Sequence, residues 1–210
     1  MFTLINQLYS RTLLATVTLI FCLVGFMPFF IEHSHAQDFC TVQQITDTPG
    51  GSLNQLPTIN GDGTLITFNS NSNITGGNAD GSVEIFLFDT ETNMFTQITD
   101  SPFVNLFTGS FSPVISTNGN RIAINSNASL VGMSDGNREL FYFDLITDMF
   151  TQVTNGPNVP GSNCEVHDIN ADGTRISFAC PQDINGGNGD PASTEIFLFD
   201  TVTMMFTQIT

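Results

Sequence analysis

The chain has 210 residues, 40% of them hydrophobic and 20 of them Phe, enough apolar material for a substantial core. It carries 20 acids against 4 basic residues, all Arg, for a formal charge of −16. Such a surface repels phosphate backbones and anionic lipids, which argues against nucleic-acid binding and against docking on a membrane surface. The same charge keeps an exported protein soluble.

Residues 1–36 have the layout of an export signal. Arg11 closes a short polar segment, Thr12–Ile31 is almost wholly apolar, and Ser34-His35-Ala36 forms a small-x-small cleavage site before Gln37. The apolar run is also just long enough to span a bilayer, so an uncleaved N-terminal anchor is the alternative, and the one route to membrane association. Cys22 follows the bulky Phe21 and is a poor lipid acceptor. Either arrangement places the rest of the chain in an extracytoplasmic space, periplasmic or secreted. Three cysteines remain after the signal, Cys40, Cys164 and Cys180. Export makes disulfides chemically permissible among them.

The mature chain opens with Thr41–Thr46, which has the character of the Phe-Thr-Gln-Ile-Thr strands further on and is in phase with them. Pro49 and Gly50 then break any regular element. A first repeat follows. Gln55–Ile59 and Leu65–Phe68 are predicted strands about the Asn60–Gly63 turn, whose Gly and Asn tolerate positive φ. A polar loop, Asn71–Ser82, leads to the strands Val83–Asp89 and Met94–Thr99. The second repeat has strands at Phe111–Ile115, Arg121–Asn125, Glu139–Asp144 and Met149–Thr154, with the long loop at Asn127–Arg138. The third has Glu165–Ile169, Arg175–Ala179, Glu195–Asp200 and Met205–Thr210, with its loop at Pro181–Thr194.

The last residues of the three repeats, Thr99, Thr154 and Thr210, are spaced 55 and 56 residues apart. Apolar residues do not recur at helical spacing, and turn residues interrupt the chain every few positions. Four short antiparallel strands per unit of this length make a propeller blade. The third strands, Glu84–Asp89, Glu139–Asp144 and Glu195–Asp200, are continuously apolar between their end residues. A strand packed on both faces by neighbouring blades needs that composition, and each buried Phe in it contributes roughly 2–3 kcal/mol. The expected fold is therefore all-β, a propeller with blades at about 54–99, 110–154 and 164–210 plus the extra strand 41–46. Propellers have four to eight blades. Three blades make an incomplete or open ring, so the chain is expected to be a piece of a longer propeller or to self-associate through its open blade edge.

The repeated residues Asn60–Phe68, Glu84–Asp89 and Thr96–Thr99, and again Asn170–Phe178, Glu195–Asp200 and Thr207–Thr210, resemble the TolB-like β-propeller repeat. The second repeat departs from it, with Asn118-Gly119-Asn120 lacking the Asp-Gly. The resemblance covers residues 41–210. It implies a periplasmic or secreted binding or scaffolding module. Similar propellers serve as gating domains of prolyl-oligopeptidase-type peptidases, so the propeller portion of such a hydrolase is the alternative. No Gly-x-Ser-x-Gly elbow occurs in the chain.

Several residues are candidate sites. Equal offsets about the Asp172 turn, counted from a pairing of Ile169 with Arg175, put Cys164 opposite Cys180. A disulfide there would close a loop of about 16 residues and contribute roughly 3 kcal/mol; two free buried thiols are the alternative. Cys40 is left to pair with another segment or chain. Oxygen-bearing side chains at Asn78, Asp80 and Glu84 alternate as in a calcium loop. They lack the full Asp-x-Asp-x-Asp-Gly pattern, and Asx-Gly turns account for the same residues. His167, Asp168 and Ser162 do not make a triad, because strand neighbours point to opposite faces. No cofactor and no catalytic residue is expected. The three long loops fall on one face with the connections between blades, and that face is the expected contact for a protein or glycan partner.

Overall fold

A computed structural model describes residues 42–105, 108–132, 136–156, 163–184, 186 and 193–210. The proposed signal segment, Cys40, Thr41 and Ser162 lie outside these residues. The chain divides into two units, Met1–Gln43 and Gln44–Thr210, and the second holds all twelve strands.

The described residues are all-β, in three four-stranded antiparallel sheets with no helix. The first blade contains β1 (Asn54–Ile59), β2 (Leu65–Ser70), β3 (Glu84–Asp89) and β4 (Met94–Gln97). The second contains β5 (Ser110–Ile115), β6 (Arg121–Ser126), β7 (Glu139–Asp144) and β8 (Met149–Gln152). The third contains β9 (Glu165–Ile169), β10 (Arg175–Cys180), β11 (Glu195–Asp200) and β12 (Met205–Gln208). Each sheet is a simple up-and-down meander in chain order, the topology of a propeller blade. The fold is an incomplete β-propeller.

Each strand obeys a local rule. The β1–β2 and β9–β10 turns are closed by an aspartate, Asp62 or Asp172. Each accepts hydrogen bonds from the backbone and hydroxyl of the threonine two residues on, Thr64 or Thr174. The β3–β4, β7–β8 and β11–β12 turns each place one residue, Asn93, Asp148 or Met204, at φ near 58°. The β1 and β5 strands carry a bulge at which Leu56 and Ser112 also have positive φ. Pro57 and Pro113 follow them. Proline is tolerated there because these are edge strands that need not donate on both sides.

The fourth strands end at Gln97, Gln152 and Gln208, two residues short of the sequence-based expectation. The threonine side chain takes over from the backbone at that point: Thr99, Thr154 and Thr210 each accept the N–H of the first apolar residue of the third strand through Oγ1 at 2.9 Å.

Packing runs from blade to blade. Ile85, Leu87 and Ile98 of blade one meet Ile115, Ile122, Ile124 and Phe141 of blade two. Ala123, Leu140, Tyr142 and Val153 of blade two meet Val166, Ile176, Phe178, Phe197 and Phe199 of blade three. Polar groups stitch the same joints. Asn125 donates to the Cys164 carbonyl and accepts the Val166 N–H, both at 2.8 Å. Thr58 donates to the Pro113 carbonyl and accepts the Ile115 N–H, both at 3.2 Å.

Two expectations need correction. Residues 42–46 form no strand ladder, because no strand lies beside them to complete one. Ile45 nevertheless packs against Phe68, Phe86 and Phe88 of blade one, the relation that Ile98 has to blade two and Val153 to blade three. The third strands are also not equally buried. β3 and β7 are buried through five of six residues, whereas in β11 Ile196 is 38% exposed. The two faces of β11 differ: Phe197 and Phe199 pack on blade two, and Ile196 and Leu198 point the other way.

Candidate functional site

The β2–β3, β6–β7 and β10–β11 loops and the connections between blades lie at one end of the sheets. At that end blades one and two each bury a glutamate, a residue type that is almost never fully buried unless its charge is satisfied, and blade three carries a partly exposed one at the same position. Glu84, the first residue of β3, is wholly inaccessible. Its Oε1 accepts the Ser82 hydroxyl at 2.7 Å and the Ser101 N–H at 2.8 Å, and its Oε2 accepts the Thr99 hydroxyl. Glu139 repeats the arrangement. It accepts Asn137 Nδ2 at 2.7 Å, the Gly156 N–H at 2.8 Å and the Thr154 hydroxyl. In blade three, Glu195 accepts the Thr210 hydroxyl at 2.6 Å.

Glu84 and Glu139 thus each join the long loop before them, the end of the fourth strand and the connection to the next blade, and Glu195 repeats the bond to the end of the fourth strand. Sequence reasoning treated this stretch as an apolar strand and missed the role of its first residue. The signal was present, since a Glu and a Thr 15 residues apart recur in all three repeats, at 84 and 99, 139 and 154, and 195 and 210.

Burial outweighs these donors at Glu84 and pushes its carboxyl above the ordinary glutamate value of 4.5. A group with a raised value in the folded state contributes stability fully below its unfolded value, and that contribution is lost as pH rises through the folded value. Glu84→Gln keeps the shape and removes the titration. The stability advantage of the native protein over this variant is therefore expected to be largest below pH 4.5 and to shrink as pH rises toward 7. Urea unfolding of both proteins across that range measures it; an advantage that grows with pH would contradict the assignment.

The structure brings the three calcium-loop candidates together around one hydroxyl. Ser82 Oγ lies 3.0 Å from Asn78 Oδ1, 2.9 Å from Asp80 Oδ1 and 2.7 Å from Glu84 Oε1. Protein donors already serve these oxygens. Asp80 Oδ2 accepts the Phe103 N–H at 2.7 Å and Oδ1 the Ser82 N–H at 3.1 Å, which hold its carboxyl below the usual aspartate range. Asn78 is buried and donates Nδ2 to the Ser82 carbonyl at 2.8 Å. Among the described residues no group of three or more His, Cys, Asp or Glu side chains is placed to hold a metal ion. The arrangement pins the loop to the connection between blades.

Cys164 and Cys180 form a disulfide, a bond that an oxidising compartment permits. The route to it differs from the expected register. Ile169 pairs with Ile176 rather than Arg175, and a bulge between Ser177 and Phe178 then brings Glu165 opposite Ala179 and the two cysteines together. His167 and Asp168 lie exposed on β9, and Asp168 Oδ1 accepts the neighbouring Ile169 N–H at 2.8 Å.

No protein-family model matches the chain. No curated protein matches it either. Solved structures do show similarity. A puromycin-hydrolyzing peptidase from Mycobacterium tuberculosis superposes with a TM-score of 0.45 at 13% identity, over 76% of this chain and 21% of that one. An oligogalacturonate lyase from Vibrio parahaemolyticus superposes at 0.43 and 17% identity, over 78% and 42%. An acylaminoacyl peptidase from Pyrococcus horikoshii superposes at 0.44 and 16% identity, over 75% and 25%. The chain therefore spans between about a fifth and two fifths of the length of these three proteins.

Proposed function

We propose that this protein is a non-catalytic, exported β-propeller module, periplasmic or secreted, that binds a protein or glycan partner through its long-loop face. The observation that carries this reading is the pinning of that face. Asp80 ties the first long loop to Phe103 in the following connection, Glu84 ties it to Ser101, and Arg138 N–H donates to Asn163 Oδ1 in the next connection at 3.0 Å. Loops held this way present their exposed side chains on a fixed frame, which lowers the ordering cost of binding. Asp80 is exposed and bonded to the backbone of Phe103; Phe103 and Val104 are 43% and 69% exposed, and Asn73 and Thr75 are exposed on the same loop as Asp80. A polar rim around a small apolar patch is a common anatomy for a binding surface. The TolB-like character of the repeat residues and the disulfide support the exported setting.

A panel of oligosaccharides and candidate proteins, screened by calorimetry or biolayer interferometry, tests the reading. Replacing Phe103 and Val104 with serine is expected to weaken any hit by about tenfold or more, since buried aromatic anchors dominate interface energies, with thermal stability unchanged. Turnover of peptide or glycan substrates by the purified protein would overturn it.

A second reading, the propeller portion of a larger protein such as a prolyl-oligopeptidase-type hydrolase, draws on the half-exposed outer face of blade three. Native blades bury that face, as Ile85 and Leu140 show.

A further inference from the structure

The outer face of blade three repeats the donor half of a joint that the chain makes once, between blades two and three. At the joint between blades two and three, Arg121 Nε pairs with Asp144 at 3.0 Å. Its Nη1 reaches into blade three, donating to the Gly173 carbonyl at 3.0 Å and to Thr201 Oγ1 at 2.6 Å. Around this clasp Leu140 and Tyr142 pack on a cluster of four Phe side chains, Phe178, Phe197, Phe199 and Phe206. The joint between blades one and two has no clasp. Leu65 stands where Arg121 stands, Leu145 stands where Thr201 stands, and both pack in the shared core. The two positions thus match as a pair, Arg with Thr or Leu with Leu.

Blade three carries the Arg type on its outer face. Arg175 pairs with Asp200 at 3.0 Å, as Arg121 does with Asp144, but its side chain is 51% exposed. Around it Ile196 is 38% and Ile209 61% exposed. Blade one carries the matching acceptor. Thr90 stands where Thr201 stands, and its hydroxyl donates to the Gly63 carbonyl at 3.0 Å, as Thr201 does to Gly173 at 3.2 Å. The Phe cluster is also duplicated. Phe68 stacks on Phe86 at 5.9 Å and 23°, as Phe178 does on Phe197 at 5.4 Å and 18°. Phe88 meets Phe95 at 4.7 Å and 42°, as Phe199 meets Phe206 at 5.0 Å and 41°. Blade two has Ile124 and Leu145 at these places and matches less well.

From this we propose that blade three docks on blade one of a second copy of the chain, with Arg175 clasping the Gly63 carbonyl and Thr90 hydroxyl of that copy. Two copies related by a two-fold axis make the contact twice and close a ring of six blades, within the four to eight that propellers use. Closure covers the apolar face that an open blade leaves exposed. Ile45 now sits against the Phe68 cluster at the place that Ile209 of the second copy takes. A half-open cleft of about 340 Å³, lined by Ile45, Pro49, Ser72, Ile74 and Phe95 among others, lies beside it, so the segment covers this face only in part and gives way on association. The inference is independent of the loop-face reading.

Sedimentation equilibrium of the full chain over a concentration series tests it. A dimer is expected. Arg175→Leu weakens it by about tenfold or more, the effect of removing a charged hydrogen-bond donor. Adding Thr90→Leu to that variant restores association, because the pair then matches the Leu65 and Leu145 joint. Ile196→Glu, on the exposed face, gives a monomer with an unchanged circular dichroism spectrum. A monomer at all concentrations, a polymer that does not stop at two copies, a dimer indifferent to Arg175→Leu and Ile196→Glu, or a double variant no better than the single one would each overturn the proposal.

Discussion

Replacing Phe178 with alanine is expected to lower the unfolding free energy by about 3–5 kcal/mol. Phe178 has no accessible surface. It lies in the middle of β10 between Val166 on β9 and Phe197 on β11, stacks on Phe197 and meets Phe206 edge-on at 6.1 Å and 72°. Its cluster also includes Leu140 and Tyr142 of blade two. Truncation therefore opens a cavity at both a sheet and a joint between blades, where several walls would have to move together to fill it. Domains of this size are stable by only about 5–15 kcal/mol, so the loss is a large share of the total. Ile196→Ala in the adjacent strand provides the internal comparison. That side chain is partly exposed on the other face, and its truncation is expected to cost no more than about 1–1.5 kcal/mol. Urea denaturation of both variants, at a protein concentration low enough to keep the chain monomeric, measures the difference. Equal costs would mean that the two faces of blade three are packed alike.

Loss of the Cys164–Cys180 disulfide is expected to cost about 2–3 kcal/mol, or about 4–12 °C in melting temperature. The bond closes a span of 16 residues and ties the base of the β9–β10 hairpin. The other blades show what stands in its place. In blade two the hydroxyl of Ser110 donates to that of Ser126 at 3.1 Å, and in blade one Ser70 donates to Asn54 at 2.7 Å. The Cys164→Ser and Cys180→Ser double variant would recover such a hydrogen bond, which offsets up to about 1 kcal/mol of the lost chain constraint. Both cysteines are fully buried, so a reductant reaches them only when the blade opens. The native protein should resist reduction when folded. It should melt at the temperature of the double variant after unfolding and refolding in reductant. A melting temperature unaffected by reductive refolding would show that the bond does not hold the blade.

The two effects bear on function in different ways. The Phe178 cluster sets the angle between blades two and three, and so the spacing of the loops they carry. The disulfide holds the inner hairpin of blade three. The buried Glu84 and Glu139 act nearer the candidate face, since each connects a long loop to the strands beneath it.

Much of this was legible in the chain itself. The 55-residue period, the Asx-Gly turns and the runs of Ile, Phe and Thr are local signals. They specified the meander of each sheet and the long loops at one end, whereas the cysteines meet only through a bulge in β9–β10 that no local signal showed. The glutamate and threonine of each blade were visible as a recurring pair, but the burial of the pairs in blades one and two was not, because nothing local distinguishes an exposed strand-start Glu from one enclosed by two loops. The calcium-like spacing of Asn78, Asp80 and Glu84 was likewise visible, while the backbone donors that occupy those oxygens come from Ser101 and Phe103, about 20 residues away.

What the tertiary structure alone decided is clearest in the stretch Glu-Ile-Phe-Leu-Phe-Asp, which is identical in β3 and β11. Its strand character and two-sided apolar pattern follow from composition. Its burial does not: Ile85 is fully buried and Ile196 is 38% exposed. The same holds for Arg121 and Arg175, which make the same ion pair in their own sheets but meet different surroundings beyond them. A strand's conformation is set by its own backbone and side chains, whereas its burial depends on whether another sheet is packed across it, and that partner lies elsewhere in the chain or in another molecule.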